Sequence, residues 1–362
     1  MFPVLAFLWP TYQESGVDGV VNNVQADINT LKDKINSSQV IDRVTEEFQL
    51  LKGKLESQFG KESPNQEPPE KPDLDQPAEQ TFSIFNVEIG DPRSEVEQEA
   101  GEPQRSSLNE YGVNWAAYHN DYAHFFMVAY NENDQVAALF TNQDLLASKN
   151  AITFNSVRDD VRAALGEPEK SIRKGLVNYQ VQHGDEFDMY KIDGNYVTLF
   201  YDVHSENTVT AIQIIDESLE QQKKDYYTEP SDALRKGFEE QLFDLTNAAR
   251  VKHGKAPLKW GDPALPTARS HSTDMAENDY FSHTNLDGQS PFDRMREDNI
   301  QFRMAGENLA AGQVSSVFAH EGLMNSAGHR ENILKGGYNT LAVGVAFNDK
   351  SQPYYTETFW QK

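Results

Sequence analysis

Two histidines, a glutamate and an arginine in the C-terminal third are the residues whose types and neighbours suit chemistry. They fall in three short phrases, Tyr280-Phe281-Ser282-His283, Gly306-Glu307-Asn308 and Gly328-His329-Arg330. A neutral imidazole at 283 or 329 can act as a general base or ligate a metal. Glu307 is followed by an apolar run at 309–311, so its carboxylate is expected to be partly buried and to need a partner or a raised pKa. His329 and Arg330 stand near a predicted helix start, where backbone N–H groups and a cation favour anions. Each phrase is expected at the edge of a helix, its polar side chain facing a cleft. Plainer roles stand beside these: a hydrogen-bonded His283, a cohesive His283–Glu307 pair, and His329 with Arg330 anchoring the loop before Asn332. His271, inside a predicted helix, reads as a packed structural residue. Ser282, Ser290 and Ser326 lack the strand–turn–helix Gly-x-Ser-x-Gly setting of a hydrolase nucleophile.

The elements that must position these groups follow from pattern and punctuation. Ser231 is an N-cap, and Phe238, Leu242, Leu245 and Ala249 line one face of a helix ending at Gly254. Asp262-Pro263 starts a second helix to about Asn278, in which Pro266 is tolerated only in the first turn. Residues 291–299 and 314–325 read as two more helices. Residues 338–348 and 354–360 alternate as two strands of one antiparallel sheet.

Upstream, residues 82–220 contain an internal repeat, with one copy starting IGDPRSEVEQEAGEP (89–103) and the other NSVRDDVRAALGEP (155–168). In each, a short helix is stopped by a left-handed glycine, Gly101 or Gly166, and a proline two residues on prevents resumption. Strand-like runs follow at 113–118, 123–130 and 135–141, and at 176–181, 188–192, 196–202 and 209–215. Asp193-Gly194 and residues 131–134 have hairpin-turn chemistry. Two α+β units are expected, each a short helix against an antiparallel sheet. His119, His124, His183 and His204 fall at unmatched places in the copies, which points to binding or spacing rather than catalysis.

The chain has 362 residues, enough for two or three domains, with 38% hydrophobic residues and a net charge of -25. That charge disfavours nucleic acid and anionic membrane surfaces as partners. With no cysteine, disulfides, thiolate ligands and a cysteine nucleophile are excluded. Residues 1–16 begin with the apolar MFPVLAFLWP, too short to span a bilayer and without a preceding basic residue. They read as an anchor remnant or a sticky terminus, the former favoured by the stalk-like helical and Pro-rich segments at 17–80. Residues 17–60 carry an amphipathic helical seam (Val17, Val21, Val24, Ile28, Leu31, Ile35, then Ile41, Val44, Phe48, Leu51, Leu55). Self-association through 17–59 and simple folding onto a neighbour both fit it. Residues 61–80 hold five prolines and read as an extended linker.

Taken together, the C-terminal phrases resemble the CAP superfamily of cysteine-rich secretory, antigen 5 and pathogenesis-related proteins, in its bacterial branch. The carrying residues are Asn247-Ala-Ala-Arg250, Pro257-Leu258-Lys259-Trp260, Tyr280 to His283, Asp293-Arg294, Ala305 to Leu309, Met324-Asn325-Ser326, Gly328-His329-Arg330 and Tyr355-Thr356-Glu357. The preceding repeat resembles the CAP-associated domain of Firmicutes. The domains expected are then 81–222 and 228–362. The fold class is α+β, with a C-terminal α-β-α sandwich bearing a broad cleft, in an extracellular or cell-surface protein.

The family's cleft often carries two His and two Glu. His283 and Glu307 match one of each. The second His belongs to a Gly-His-Tyr-Thr-Gln phrase that here reads Pro353-Tyr354-Tyr355-Thr356-Glu357, so Tyr354 replaces it. Glu321 is the nearest candidate for the second Glu, and Leu323 stands where a Trp is usual. His329 and Arg330, from the bacterial pattern, are candidates for the vacated space.

Ligand-binding candidates are thus His283, Glu307, His329, Arg330 and Tyr354. A zinc or other divalent metal would draw on His283, His329 and Glu307, leaving no spare base for hydrolysis. Three functions remain open: a module binding an envelope glycan, peptide or lipid in its cleft; a metal-assisted hydrolase; and a surface scaffold. The missing late-strand His and absent nucleophile favour binding.

Overall fold

In a computed structural model of the protein, residues 71–181 and 184–362 are described. The anchor remnant, the helical seam, most of the Pro-rich spacer and His183 lie outside the described residues.

The part of the spacer that is described lies against the following domain. Glu88 accepts backbone N–H groups from Ala78, Glu79 and Gln80 at 2.6, 2.9 and 2.5 Å. Helices α1 (Arg93–Ala100) and α2 (Arg158–Leu165) are the two short helices expected. Their terminal glycines have positive φ, +79° at Gly101 and +85° at Gly166, but extended ψ of -165° and -158° rather than a left-handed helical cap. The helix stops there because that backbone turn is open only to glycine.

The two copies do not form separate sheets. Strands β2 (Arg105–Leu108), β3 (Asn114–Asn120), β4 (Ala123–Tyr130) and β5 (Val136–Thr141) belong to one seven-stranded sheet with β9 (Phe187–Ile192), β10 (Asn195–Asp202) and β11 (Thr208–Asp216), in the order β2-β3-β4-β5-β11-β10-β9. The seam is the antiparallel β5–β11 pair, from Ile212↔Thr141 to Ile215↔Ala138. Hairpins form at residues 131–134, where the Asn131 side chain accepts from Asn133 and Gln135 N–H, and at Asp193-Gly194, both at positive φ. Smaller pairs are β1 (Phe82–Ile84) with β6 (Leu146–Ser148) and β7 (Ser171–Lys174) with β8 (Val177–Gln180). Helices α1 and α2 cover one face through Val96 and Val161. Helix α3 (Glu217–Gln222) follows the last strand.

The other face packs on helix α4 (Asp232–Lys252), capped by Ser231 accepting from Leu234 N–H. This helix was expected to bury one stripe. Instead 15 of its 21 residues are buried, because sheets lie on both sides of it. Leu245 and Ala248 join Trp115, Phe125, Phe140 and Phe200 of the first sheet. Phe238 and Leu242 join Val343, Tyr355 and Phe359 of the second. A Cβ at Gly237 would lie 2.0 Å from the Leu108 carbonyl oxygen, so glycine there permits the close approach of β2.

The second sheet has the order β12-β14-β15-β13, from Lys259–Trp260, Thr340–Phe347, Pro353–Gln361 and Met304–Ala311. Its α4 face also carries α7 (Ser316–Asn325) and α8 (Ala327–Leu334), and its far face carries α5 (Leu265–Glu277) and α6 (Pro291–Glu297). The helix expected from Asp262 is split: a 3-10 turn at Asp262–Ala264 precedes α5, leaving Pro266 in the first turn. Among the described residues, no helix is long and apolar enough to cross a membrane.

Polar groups rivet the halves together. Arg105 donates to Asp244 at 2.8 Å, Lys252 to the Thr210 carbonyl at 2.9 Å, and Arg330 to Asp202 at 2.8 Å. Beside Lys252 lie two fully buried groups, Glu321, pushed up by burial, and His320, pushed down by burial to about 3. Neither ring nitrogen of His320 has a hydrogen-bond partner. A histidine whose folded pKa lies below its unfolded one gains a proton on unfolding, so its stabilising share is present above pH ~6.5 and shrinks as pH falls. His320→Leu is therefore expected to hold its stability better than wild type on acidification. The difference should be about 2 kcal/mol between pH ~6.5 and ~5, read from urea unfolding at both pH values. Parallel pH dependence of the two proteins would show that His320 is not held neutral.

Candidate functional site

Glu307 is the centre of the site, and its position differs from the expected helix edge. It lies in the middle of β13, opposite Thr358 of β15. The preceding glycine is required there: a Cβ at Gly306 would meet the Tyr338 hydroxyl at 2.3 Å and the Asn332 amide oxygen at 2.9 Å. The Glu307 side chain is 4% exposed. One oxygen contacts His283 Nδ1 at 2.9 Å and the other accepts from Arg294 Nη2 at 2.6 Å. A buried carboxylate so paired has both oxygens satisfied.

Arg294 is the functional residue to which sequence reasoning gave no role. It is carried by α6, whose start is fixed by a Ser290–Asp293 capping box. Its other nitrogen, Nη1, donates to the His283 carbonyl at 2.8 Å and to the Gln289 carbonyl at 3.1 Å. The guanidinium therefore holds both members of the His283–Glu307 pair. Part of the signal was available, since a carboxylate in an apolar run needs a cation, but Arg296 and Arg303 stand nearer in the sequence than Arg294 and only the fold selects among them. His283 itself sits in the loop after α5 with its side chain 53% exposed. That loop is tied down by His271, buried, whose Nε2 lies 3.0 Å from the Ser282 carbonyl.

His329, in the first turn of α8, borders the same space. Burial, and then the charge of His283, hold its pKa below the usual histidine value, so the two imidazoles are electrostatic neighbours. The helix is fixed to β13 by Asn308, which donates to the His329 carbonyl at 3.2 Å, and by Asn332, which donates to the Glu307 carbonyl at 3.3 Å. Asn308 also donates to Glu357 at 3.0 Å, and Thr246 to the other Glu357 oxygen at 2.7 Å. Glu357 is fully buried, and burial raises it to about 7 despite those donors.

A cleft of about 480 Å3 opens alongside, bordered by His329, Phe281, Tyr354, Leu323 and the end of β13. Tyr354 is buried on β15 and lines it. Two other sequence candidates lie elsewhere. Arg330 points away from the cleft, to Asp202 and the Met324 carbonyl. Glu321, on α7, is the buried neighbour of Lys252; successive residues of a helix diverge by about 100°, and Leu323 has the cleft-facing place. Glu186, from the other half of the chain, also lines the cleft, and nothing local in the sequence connects it with position 329.

The donor set does not fit a metal. Among the described residues, no three His, Asp or Glu groups come together as a metal site. The guanidinium 2.6 Å from Glu307 opposes any second cation there, and Tyr354 offers a phenol where an imidazole would be needed.

Comparison with known proteins agrees with this architecture. Residues 243–360 match the model of the cysteine-rich secretory protein family, and residues 89–226 that of the CAP-associated N-terminal domain. The chain thus carries a CAP domain at 243–360, preceded by a CAP-associated N-terminal domain at 89–226. It is 29% identical over 289 residues to "Uncharacterized membrane protein YlbC" of Bacillus subtilis, covering 75% of this chain and 82% of that one. It is 39% identical over 122 residues to "Uncharacterized protein YkwD" of the same organism, covering 34% and 46%. Among solved structures, an extracellular SCP-domain protein of Bacillus anthracis aligns with a TM-score of 0.66 at 27% identity, over 81% of this chain and 99% of that one. A cysteine-rich secretory protein of Staphylococcus aureus aligns at 0.60 with 14% identity, over 79% and 98%, and shows the fold alone.

Two outcomes test the site. Arg294→Met strands a buried carboxylate and is expected to destabilise the protein by about 3 kcal/mol in urea unfolding, with Arg294→Met/Glu307→Met recovering most of the loss. A double variant no more stable than the single one would show that the pair is not a closed unit. Calorimetric titration with zinc is expected to give the same trace for wild type and His283→Ala. Stoichiometric binding that the substitution abolishes would restore the metal site.

Proposed function

We propose that this is an extracellular or surface-exposed binding module, whose CAP cleft holds a ligand of the cell envelope or its surroundings. The observation that carries the reading is the cleft itself. Apolar surface from Phe281, Leu323 and Tyr354 faces polar groups from His329 and Glu186 across about 480 Å3, the mixture typical of specific ligand sites. The His283–Glu307–Arg294 cluster serves as the rigid support of one wall. A relative named as a membrane protein and another described as extracellular support the setting. Metal-assisted hydrolysis, the alternative, would require His283, His329 and Glu307 to share an ion that Arg294 opposes.

Gly322 supplies the test. It lies on α7 and lines the cleft, and a Cβ there meets nothing within 4 Å. Gly322→Leu should stabilise the helix by about 1 kcal/mol while filling the cleft. The full chain is to be sedimented with purified cell wall and with vesicles of neutral and anionic phospholipid. The expected result is wild-type binding to one of these and loss of it in Gly322→Leu, with a raised melting temperature. Equal binding by both proteins, or no binding by either to these or to the peptides tested below, would overturn the reading.

A further inference from the structure

The floor of the cleft is a sheet edge. Strand β13 is the last in the order β12-β14-β15-β13, so one side of its backbone has no strand beside it. Which residues face outward is decided by two contacts. Gly312 N–H donates inward to the Pro353 carbonyl at 2.9 Å, in register with the regular β13–β15 pairing. The Glu307 carbonyl, by contrast, is reached from outside by Asn332. Peptide groups two residues apart in a strand point the same way. Leu309 and Ala311 therefore turn their N–H and C=O groups outward, and both residues line the cleft.

We propose that the cleft takes an extended peptide, added beside β13 as an outer strand through Leu309 and Ala311, with a basic side chain directed to Glu186. This deepens the binding reading above and rests on it. Regularly spaced donors and acceptors along an edge are matched by a peptide backbone, whereas a glycan or acyl chain has no such alternation. Asn332 occupies the edge at Glu307 and fixes where pairing stops. Alternate side chains of an added strand project to opposite faces. One set would meet Phe281, which is 55% exposed. Glu186 faces the cleft from the CAP-associated half, and among the described residues no cation is paired with it. Burial and the neighbouring Asp185 raise its pKa, which a bound ammonium or guanidinium would relieve. The net charge of -25 draws cationic ligands and repels anionic ones.

The full chain is to be probed with a positional-scanning array of acetylated, amidated hexapeptides. The best binder is then resynthesised with an N-methyl group at each position in turn, and with norleucine for its basic residue. The expected result is enrichment of Lys or Arg at one position. Affinity should fall about tenfold on N-methylation at alternate residues and little at those between. Glu186→Gln should weaken the basic peptide about fivefold and leave the norleucine peptide unchanged. Ala311→Pro removes one outward N–H at an edge, where proline is tolerated, and should weaken every peptide.

Peptide binding indifferent to every N-methyl group would overturn strand addition. Binding of chito-oligosaccharide or lipid vesicles but of no peptide, lost in Gly322→Leu, would overturn the peptide while leaving the binding module standing. Failure of all three probes would remove both readings.

Discussion

Everything in this molecule hangs on helix α4 being buried from two sides. A helix with a sheet on one face is amphipathic; one held between two sheets must be apolar or fully partnered all round. Helix α4 takes the second course. Glu239 is held by a bidentate Arg269 at 2.7 and 2.5 Å, Asn247 donates to and accepts from Leu258, and Arg250 reaches the carbonyls of Ala256, Ile333 and Lys335. Asp244 serves the other domain through Arg105 and Tyr122. The polar groups are distributed to both partners, so neither sheet can leave without exposing apolar surface and stranding buried polar atoms.

Much of this was legible where structure is local. Capping residues, helix-stopping glycines and hairpin turns are decided by a few neighbouring side chains, and Ser231, Gly166 and Asp193-Gly194 fall where the sequence places them. Strand β13 was not legible. Its sequence, MAGENLAA, has no alternation and few residues that favour strands; it is a strand because β15 pairs with it over its whole length. Glu307 was consequently singled out for the right chemical reason but assigned to a helix edge. The joining of the repeats through β5 and β11 is likewise a long-range pairing with no local signature.

The candidate site divides along the same line. His283 and Glu307 come together as their phrases suggest. Arg330 and Glu321 do not join them, because Arg330 has a nearer demand from the other half of the chain and Glu321 lies beside Lys252 of α4. Arg330 neutralises Asp202, whose pKa is lowered although burial opposes ionisation. Glu321 faces Lys252, whose own pKa burial pulls down.

The joint between the two domains also decides what the cleft can be. Helix α7 ends on the first domain through Asn325, which donates to the Tyr201 carbonyl at 2.9 Å and accepts from Val203 N–H at 3.1 Å, while His204 contacts the Asn325 carbonyl at 2.9 Å. One residue later comes Ser326, and three beyond it His329, both on the cleft. The wall that carries His329 is thus set by the end of β10 as much as by the CAP sheet. Strand β9, which begins directly after Glu186, pairs with that same β10. Glu186 and His329 are placed by a common element, so their separation across the cleft is a property of the fused pair. A CAP domain without its companion would keep the Glu307 cluster and lose that fixed spacing.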